Sequence, residues 1–172
     1  MSERTAAPET PDRATRPPEQ GTPPVTVAVR RLPHSAGLPK RASAGSAGYD
    51  LRAATGAAVR IEPGARALIP TGLILGLPSG YEAQVRPRSG LAYRKGLTVL
   101  NAPGTIDSDY RGEVKLLLVN LGQRPITIEH GERLAQMVVA AVPEIAFRDD
   151  DTLGERPAAG RRNDGGFGST GR

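Results

Sequence analysis

Short runs of alternating or β-branched apolar residues recur along the chain from residue 25 onward, and Gly- and Pro-rich turns separate them. The runs follow one another at intervals of about ten residues, a spacing typical of an all-β sandwich or barrel. The strands that this pattern predicts cover 25–32, the end of 44–53, 57–61, 65–70, 73–77, 81–86, 97–100, 114–119, 126–128 and 133–142.

Residues 87–96 interrupt the alternation and predict the only helix, which Ser89 would cap and Gly96 would end. Arg88, Ser89 and Gly90 lie at its start. Free backbone N–H groups and a guanidinium at such a position favour phosphate binding. The alternative interpretation is a capped surface helix without a ligand.

Residues 133–142 are almost wholly apolar and predict a buried strand with one polar side chain, Gln136. A buried glutamine must find hydrogen-bond partners. Gln136 is therefore either a structural tie or a ligand contact.

A polar segment, 101–113, lies between the apolar runs 97–100 and 114–119. Such a pattern predicts a β-hairpin. Pro103 and Gly104 fit the second and third positions of a tight turn, because proline presets φ and glycine accepts a positive φ.

The tip of this hairpin carries more carboxylate side chains than an ordinary solvent-exposed turn requires. Asp107 and Asp109 lie two residues apart, and Tyr110 follows them. A carboxylate at this position can act as a general base on water. The alternative is an ordinary acidic, Gly-rich hairpin tip with no catalytic role.

The two ends of the chain differ in composition from the folded domain predicted for 25–147. Residues 1–24 are Pro-rich with little to bury, and predict a disordered tail. Residues 148–172 predict a flexible arm that ends in a Gly-rich segment. Phe167 has no local core to join there, and the surrounding N–H and hydroxyl groups are suited to wrap an anion.

Composition excludes several kinds of site. The chain of 172 residues has no cysteine, and its two histidines, His34 and His130, argue against a histidine-rich zinc site. No apolar run approaches the ~18 residues of a membrane span, which predicts a cytoplasmic protein without a membrane partner. The net charge of +5 comes from scattered Lys and Arg. That scatter predicts no nucleic-acid partner and leaves some arginines for a small polyanionic ligand.

Five sequence motifs, several of them introduced above, occur along the chain in a fixed order. With these segments the chain resembles the trimeric deoxyuridine triphosphatase (dUTP diphosphatase) family, and the resemblance extends over 25–172. The segments are Ala47-Gly48-Tyr49-Asp50-Leu51, Pro87-Arg88-Ser89-Gly90-Leu91-Ala92, Gly104-Thr105-Ile106-Asp107-Ser108-Asp109-Tyr110-Arg111-Gly112, Arg133-Leu134-Ala135-Gln136, and Arg162 through Gly171.

The resemblance implies a distorted jelly roll of the β-clip type with one short helix, assembled as a homotrimer whose active sites lie at subunit contacts. It implies hydrolysis of dUTP to dUMP and pyrophosphate with Mg²⁺ as the cofactor. That reaction keeps uracil out of DNA and supplies dUMP for thymidylate synthesis.

The resemblance also assigns catalytic roles. Asp107 would activate the water that attacks the α-phosphorus, Asp50 would hold water in the outer shell of Mg²⁺, and Gln136 would contact phosphate or that water. The residues implied to bind the substrate are Arg88, Ser89, Gly90, Asn101, Gly104, Thr105, Ile106, Tyr110, Lys115, Arg162, Phe167, Gly168, Ser169 and Thr170.

Selectivity would come from the hairpin and the arm. Tyr110 would press against the deoxyribose and leave no room for a 2′-hydroxyl, while Asn101 and hairpin backbone groups would read uracil. In the arm, Phe167 would cover the base, and Arg162, Ser169 and Thr170 would close over the γ-phosphate.

Two other functions fit parts of this pattern. A deoxycytidine triphosphate deaminase, or a bifunctional relative, shares the fold, but a deaminase must also activate water at the nucleobase, and the sequence offers no second set of acid/base groups for that. A non-catalytic nucleotide-sensing protein would keep the pocket, but the intact Asp107, Gln136 and C-terminal arm argue against it.

Overall fold

The structure is a computed structural model and describes residues 24–152. Over that range the chain forms twelve strands and one seven-residue helix, which confirms the all-β prediction. The predicted tail, apart from Pro24, and the predicted arm beyond residue 152 lie outside the described residues. The strands are β1 Ala28–Arg31, β2 Lys40–Arg41, β3 Tyr49–Arg52, β4 Val59–Ile61, β5 Arg66–Pro70, β6 Leu73–Gly76, β7 Tyr81–Pro87, β8 Leu97–Val99, β9 Gly104–Ile106, β10 Lys115–Asn120, β11 Ile126–Ile128 and β12 Arg133–Ala141, and the helix is α1 Ser89–Lys95.

The strands form four antiparallel sheets. The largest has five strands in the order β2-β3-β12-β7-β9, and a three-stranded sheet has the order β5-β10-β8. Strands β1 and β6 form one two-stranded ribbon, and β4 and β11 form another. Most neighbours in these sheets are far apart in sequence, as in a jelly roll.

The core lies between the sheets and follows from the period-two alternation of the strands. In β10, Leu116 and Leu118 are fully buried, whereas Lys115 points to solvent. Leu51 of β3 and Ile69 of β5 meet them in the same core. Each such side chain stabilises the fold by about 1.5–3 kcal/mol.

The predicted hairpin is confirmed in its arms but not in its tip. Strands β8 and β10 pair antiparallel, with Val99 opposite Leu118. The segment between them is not a simple turn, because β9 leaves this sheet and pairs with β7 in the five-stranded sheet. Gly104 opens β9, so its predicted place in a tight turn is wrong. Gly104 and Ile106 are buried and Thr105 is exposed, which is the alternation of a half-buried strand.

The helix is confirmed, and it ends at Gly96, which has a positive φ of 69°. Its predicted cap is wrong, because Arg88 is the N-cap residue and Ser89 is the first helical residue. No side chain caps this end. Within residues 24–152 no helix is long and apolar enough to cross a membrane.

Candidate active site

A cavity of about 550 Å³ lies beside β9 and the loop that follows it, and we call it the hairpin cavity. Strands β7, β8 and β10 contribute its other walls. The structure thus brings together all the predicted site residues of the hairpin region. They are Asn101, Gly104, Thr105, Ile106, Asp107, Tyr110 and Lys115.

Asp107 follows the last residue of β9 and is exposed at the cavity wall. Its backbone carbonyl accepts a hydrogen bond of 3.2 Å from the Tyr110 N–H, which fixes the turn. Among residues 24–152 its carboxylate has no hydrogen-bond or salt-bridge partner. The carboxylate is therefore available to accept a proton from water.

Asn101 and Gly104 fit together in the wall of this cavity. A β-carbon on residue 104 would lie 3.1 Å from Asn101 Nδ2 and 3.5 Å from the β-carbon of Val85. The missing side chain of Gly104 therefore leaves space for the Asn101 amide. An amide carries both donors and an acceptor, as pairing with the edge of a base requires.

The Tyr110 ring forms another wall. Its hydroxyl donates a hydrogen bond of 3.1 Å to the backbone carbonyl of Glu113, and its ring lies against Gly112, where a β-carbon would collide with it. The side chain is 45% exposed, so the ring remains available to a ligand.

A second cavity of about 230 Å³ lies where β3, β12 and the start of α1 meet, and we call it the arginine cavity. The register places Gln136 of β12 between Asp50 of β3 and Arg86 of β7, and α1 starts two residues after β7 ends. This arrangement unites the remaining predicted residues of the described range. They are Asp50, Arg88, Ser89, Gly90 and Gln136.

Two guanidinium groups share the carboxylate of Asp50. Arg88 Nε lies 3.1 Å from Oδ1, and Arg133 Nη1 lies 3.2 Å from Oδ2. Arg88 Nη1 also donates to the carbonyl of Arg133 at 2.8 Å. One carboxylate thus orients two cations, and the cluster keeps a net positive charge that suits a phosphate.

Gln136 acts as the predicted structural tie, because its Nε2 donates a hydrogen bond of 2.9 Å to the carbonyl of Pro87, the residue before Arg88. The amide also lies over Gly48, in the space that a β-carbon there would need. Its contact with a ligand stays a prediction.

The sequence motifs predict no site role for Arg133 or for Arg94. Arg94 also lines the arginine cavity. A β-carbon on Gly90 would lie 2.9 Å from the Arg94 guanidinium, so Arg94 folds back over the start of α1. The i,i+4 spacing of Gly90 and Arg94 was the available signal for this contact.

Glu113 is a further residue that the sequence did not single out. Its Oε1 accepts 2.8 Å hydrogen bonds from the Gly72 N–H and from His34 Nε2. Burial opposes the charged form, but the hydrogen bonds from His34 and Gly72 and the nearby charges of His34 and Lys115 lower the pKa of this carboxyl below its usual value. Glu113 is therefore held as a carboxylate beside the hairpin cavity.

The two cavities share no lining residue. In the five-stranded sheet Asp50 lies on β3, two strands to one side of β7, at the level of Arg86. Asp107 follows β9, the neighbour of β7 on its other side, and comes one residue after the β9 residue that pairs with Ala83. At about 4.8 Å between strands and about 3.3 Å along a strand, the two acidic residues are roughly 20 Å apart. The two halves of the predicted site therefore do not meet within one chain. Arg162, Phe167, Gly168, Ser169 and Thr170 lie outside the described residues.

The residues of the arginine cavity fit only one kind of metal binding. Within residues 24–152 no group of three or more His, Cys, Asp or Glu side chains is arranged to hold a metal ion. Asp50 is a single carboxylate that both guanidinium groups already contact. Mg²⁺ commonly keeps several waters and binds through one or two carboxylates and substrate phosphates. Asp50 fits that mode and does not fit a protein cage.

A family model and two known proteins of similar sequence agree on one family. Residues 34–171 match the dUTPase family model. The deoxyuridine 5′-triphosphate nucleotidohydrolase of Methylocella silvestris is 54% identical over 152 residues, which cover 86% of this chain and 92% of that protein. The protein of the same name from Aquifex aeolicus is 60% identical over 123 residues, which cover 70% of this chain and 82% of that protein.

Solved structures agree with the fold. The dUTPase of Staphylococcus bacteriophage 80alpha with dUPNHPP matches with a TM-score of 0.75 at 25% identity, over 86% of this chain and 99% of that one. A mutant dUTPase from phage phi11 of S. aureus, described with a structural Mg(II) ion, matches with a TM-score of 0.65 at 24% identity, over 74% of this chain and 99% of that one. Because the family model spans most of the sequence and the relatives are more than half identical, the chain belongs to the dUTPase family.

Proposed function

We propose that the protein is a dUTP diphosphatase, which hydrolyses dUTP to dUMP and pyrophosphate. One observation carries the proposal: Asp107, whose carboxylate has no partner among residues 24–152, shares a cavity with Tyr110 and Asn101. A general base (Asp107), an aromatic ring that can pack against a sugar (Tyr110) and an amide that can pair with a nucleobase (Asn101) thus line one cavity. Membership in the dUTPase family and the name of its relatives support the same reaction.

In the proposed mechanism Asp107 accepts a proton from a water molecule, and the water oxygen bonds to the α-phosphorus. The bond from that phosphorus to the bridging oxygen breaks, and pyrophosphate leaves with the electron pair. General base catalysis of this kind contributes about 10²- to 10⁴-fold to the rate.

The arginine cavity would bind the triphosphate. Arg88 donates from a guanidinium already oriented by Asp50, and Ser89 and the Gly90 backbone add donors at the start of α1. Gln136 reaches phosphate or the attacking water. Fixed donors of this kind stabilise the charge that develops in the transition state. Bound Mg²⁺ would neutralise charge on the phosphates, with Asp50 contacting its water shell.

Selectivity for the nucleoside would come from the hairpin cavity. The Tyr110 ring excludes a 2′-hydroxyl, and Asn101 with the backbone of 104–106 pairs with uracil. Lys115 adds a positive charge to the cavity wall. Such a closely fitting site rejects cytosine by its reversed donor and acceptor pattern and thymine by its methyl group.

A homotrimer with shared sites is part of the proposal. The separation of roughly 20 Å between Asp50 and Asp107 in one chain supports it, because the guanidinium groups beside Asp50 cannot hold a triphosphate whose α-phosphorus lies at Asp107 of the same chain. The hairpin cavity of one subunit would face the arginine cavity of another. Phe167 and Gly168, with Arg162, Ser169 and Thr170, would close the site from the C-terminal arm.

Pyrophosphate release from dUTP, dTTP, dCTP and UTP, each with and without Mg²⁺, tests this function. We expect rapid Mg²⁺-assisted turnover of dUTP alone. Ammonia release from dCTP would point to a deaminase instead, and binding of dUTP without turnover would point to a nucleotide sensor.

We also propose a cytoplasmic location without a membrane or nucleic-acid partner, as the sequence predicts.

A further inference from the structure

Glu113 has no part in the mechanism above, yet it makes unusual contacts at the edge of the hairpin cavity. Its side chain is only 17% exposed, and one oxygen accepts hydrogen bonds from both His34 and the Gly72 N–H at 2.8 Å. These partners are 79 and 41 residues away in sequence. The carboxylate thus joins three distant segments of the chain.

Among the described residues, Glu113 is the one member of the loop 107–113 whose side chain hydrogen-bonds outside that loop. The Tyr110 hydroxyl bonds to a carbonyl within the loop, and so does the Arg111 guanidinium. The carboxylate is therefore the anchor that orients this end of the loop.

The partners of the carboxylate sit on a rigid support. The Gly72 carbonyl accepts a 2.8 Å hydrogen bond from the Leu32 N–H, and the next residue after Glu113, Val114, bonds to Leu73 at 2.8 Å through its own N–H. The hydroxyl of the buried Thr71 donates to the Val114 carbonyl at 2.6 Å. These bonds do not use the carboxylate, so we expect this region to stay folded in a variant that lacks it.

The Tyr110 hydroxyl connects this anchor to the ligand space, because it donates to the carbonyl of Glu113 itself. We propose that Glu113, held by His34 and Gly72, is a positioning residue for sugar selectivity, which fixes the Tyr110 ring against the deoxyribose. This inference rests on the proposed function, in which that ring excludes a 2′-hydroxyl. In this inference the His34–Glu113 pair holds the Tyr110 ring in the position that excludes a 2′-hydroxyl.

The test compares kcat/KM for dUTP with kcat/KM for UTP in variants of the full chain. For Glu113→Ala we expect the preference for dUTP over UTP to fall about tenfold, as the loss of a charge-assisted hydrogen bond allows. Glu113→Gln keeps an acceptor for Gly72 and His34 and should retain the preference within about threefold. Glu62→Ala is the matched control, because Glu62 pairs with Arg60 on the exposed surface and lines neither cavity.

An equal loss of activity on both substrates in Glu113→Ala, with the preference unchanged, would overturn the inference and leave a purely structural role. Should that variant fail to fold, His34→Ala carries the test, because it removes only a half-exposed partner of the carboxylate. We expect His34→Ala to lower the preference about threefold, and an unchanged preference would again overturn the inference. Failure of the unaltered protein to hydrolyse dUTP would contradict the proposed function itself, so the two failures are distinguishable.

Discussion

The side-chain amide of Gln136 occupies the space beside Gly48 in which a β-carbon of residue 48 would lie. From there its nitrogen reaches the carbonyl of Pro87, one residue before Arg88. Gly48 therefore has a packing role at this position. Its missing side chain lets Gln136 hold the end of β7, and with it the guanidinium that we propose binds the phosphates.

We therefore expect Gly48→Ala to impair catalysis by displacing the Gln136 amide. The new methyl group would break the bond to Pro87 and shift Arg88, and kcat/KM for dUTP should fall at least about tenfold. Gly45→Ala is the matched control, because a β-carbon on residue 45 meets nothing within 4 Å. Equal kcat/KM values for the two variants would show that the position of Gln136 does not matter for turnover.

The carboxylate of Asp107 gives the most direct test of the mechanism. Asp107→Asn preserves the shape of the side chain but removes the base, so turnover should fall about 10²- to 10⁴-fold while dUTP still binds in the presence of Mg²⁺. Pyrophosphate release and calorimetric titration with dUTP measure the two effects. Asp109→Asn, two residues away and also exposed, should stay close to the unaltered rate. Undiminished release by the Asp107 variant would refute the assigned base.

The sequence predicted the strands well because alternation and β-branching record which face of a strand is buried. It failed at β9 because Pro103 and Gly104 are typical of turns, whereas the pairing of this three-residue strand with β7 depends on a strand some twenty residues earlier. It also misplaced the helix cap. Ser89 is a favoured cap residue by type, but the backbone enters the helix one residue earlier, at Arg88.

The site residues of the described range were predictable as sequence motifs, and the structure gathers them into two cavities. Their separation was not predictable, because it depends on the register of β3, β12, β7 and β9. The roles of Arg133 and of the His34–Glu113 pair were also hidden. Each role depends on a contact between two residues about eighty positions apart in the sequence, and local sequence patterns do not reveal such contacts.

The lowered pKa of Glu113 predicts a pH-dependent contribution to stability. Because the folded pKa lies below the unfolded value of about 4.3, the folded state binds fewer protons in that range. The stabilisation is complete above the unfolded pKa and is lost as the pH falls through the folded one. Glu113→Gln should lower the Tm at about pH 5.5, and the Tm difference from the unaltered protein should shrink as the pH falls below the unfolded pKa of about 4.3. A Tm difference that stays constant over this range would exclude titration of Glu113 as its source.

Mixing two inactive variants tests whether the two cavities work in different subunits. Asp107→Asn lacks the base but keeps Arg88, and Arg88→Ala keeps the base but loses the phosphate contact. If each site combines the hairpin cavity of one subunit with the arginine cavity of another, random co-assembly in equal amounts restores about one quarter of the sites.

The experiment unfolds the two variants together, refolds them, and compares pyrophosphate release with that of each variant refolded alone. The matched control mixes Asp107→Asn with an Asp107→Asn, Arg88→Ala double variant, which supplies no base and should stay inactive. A site contained within one chain predicts no recovery in either mixture. Recovery in the first mixture alone is the result expected if the separation between Asp50 and Asp107 is bridged by a second subunit.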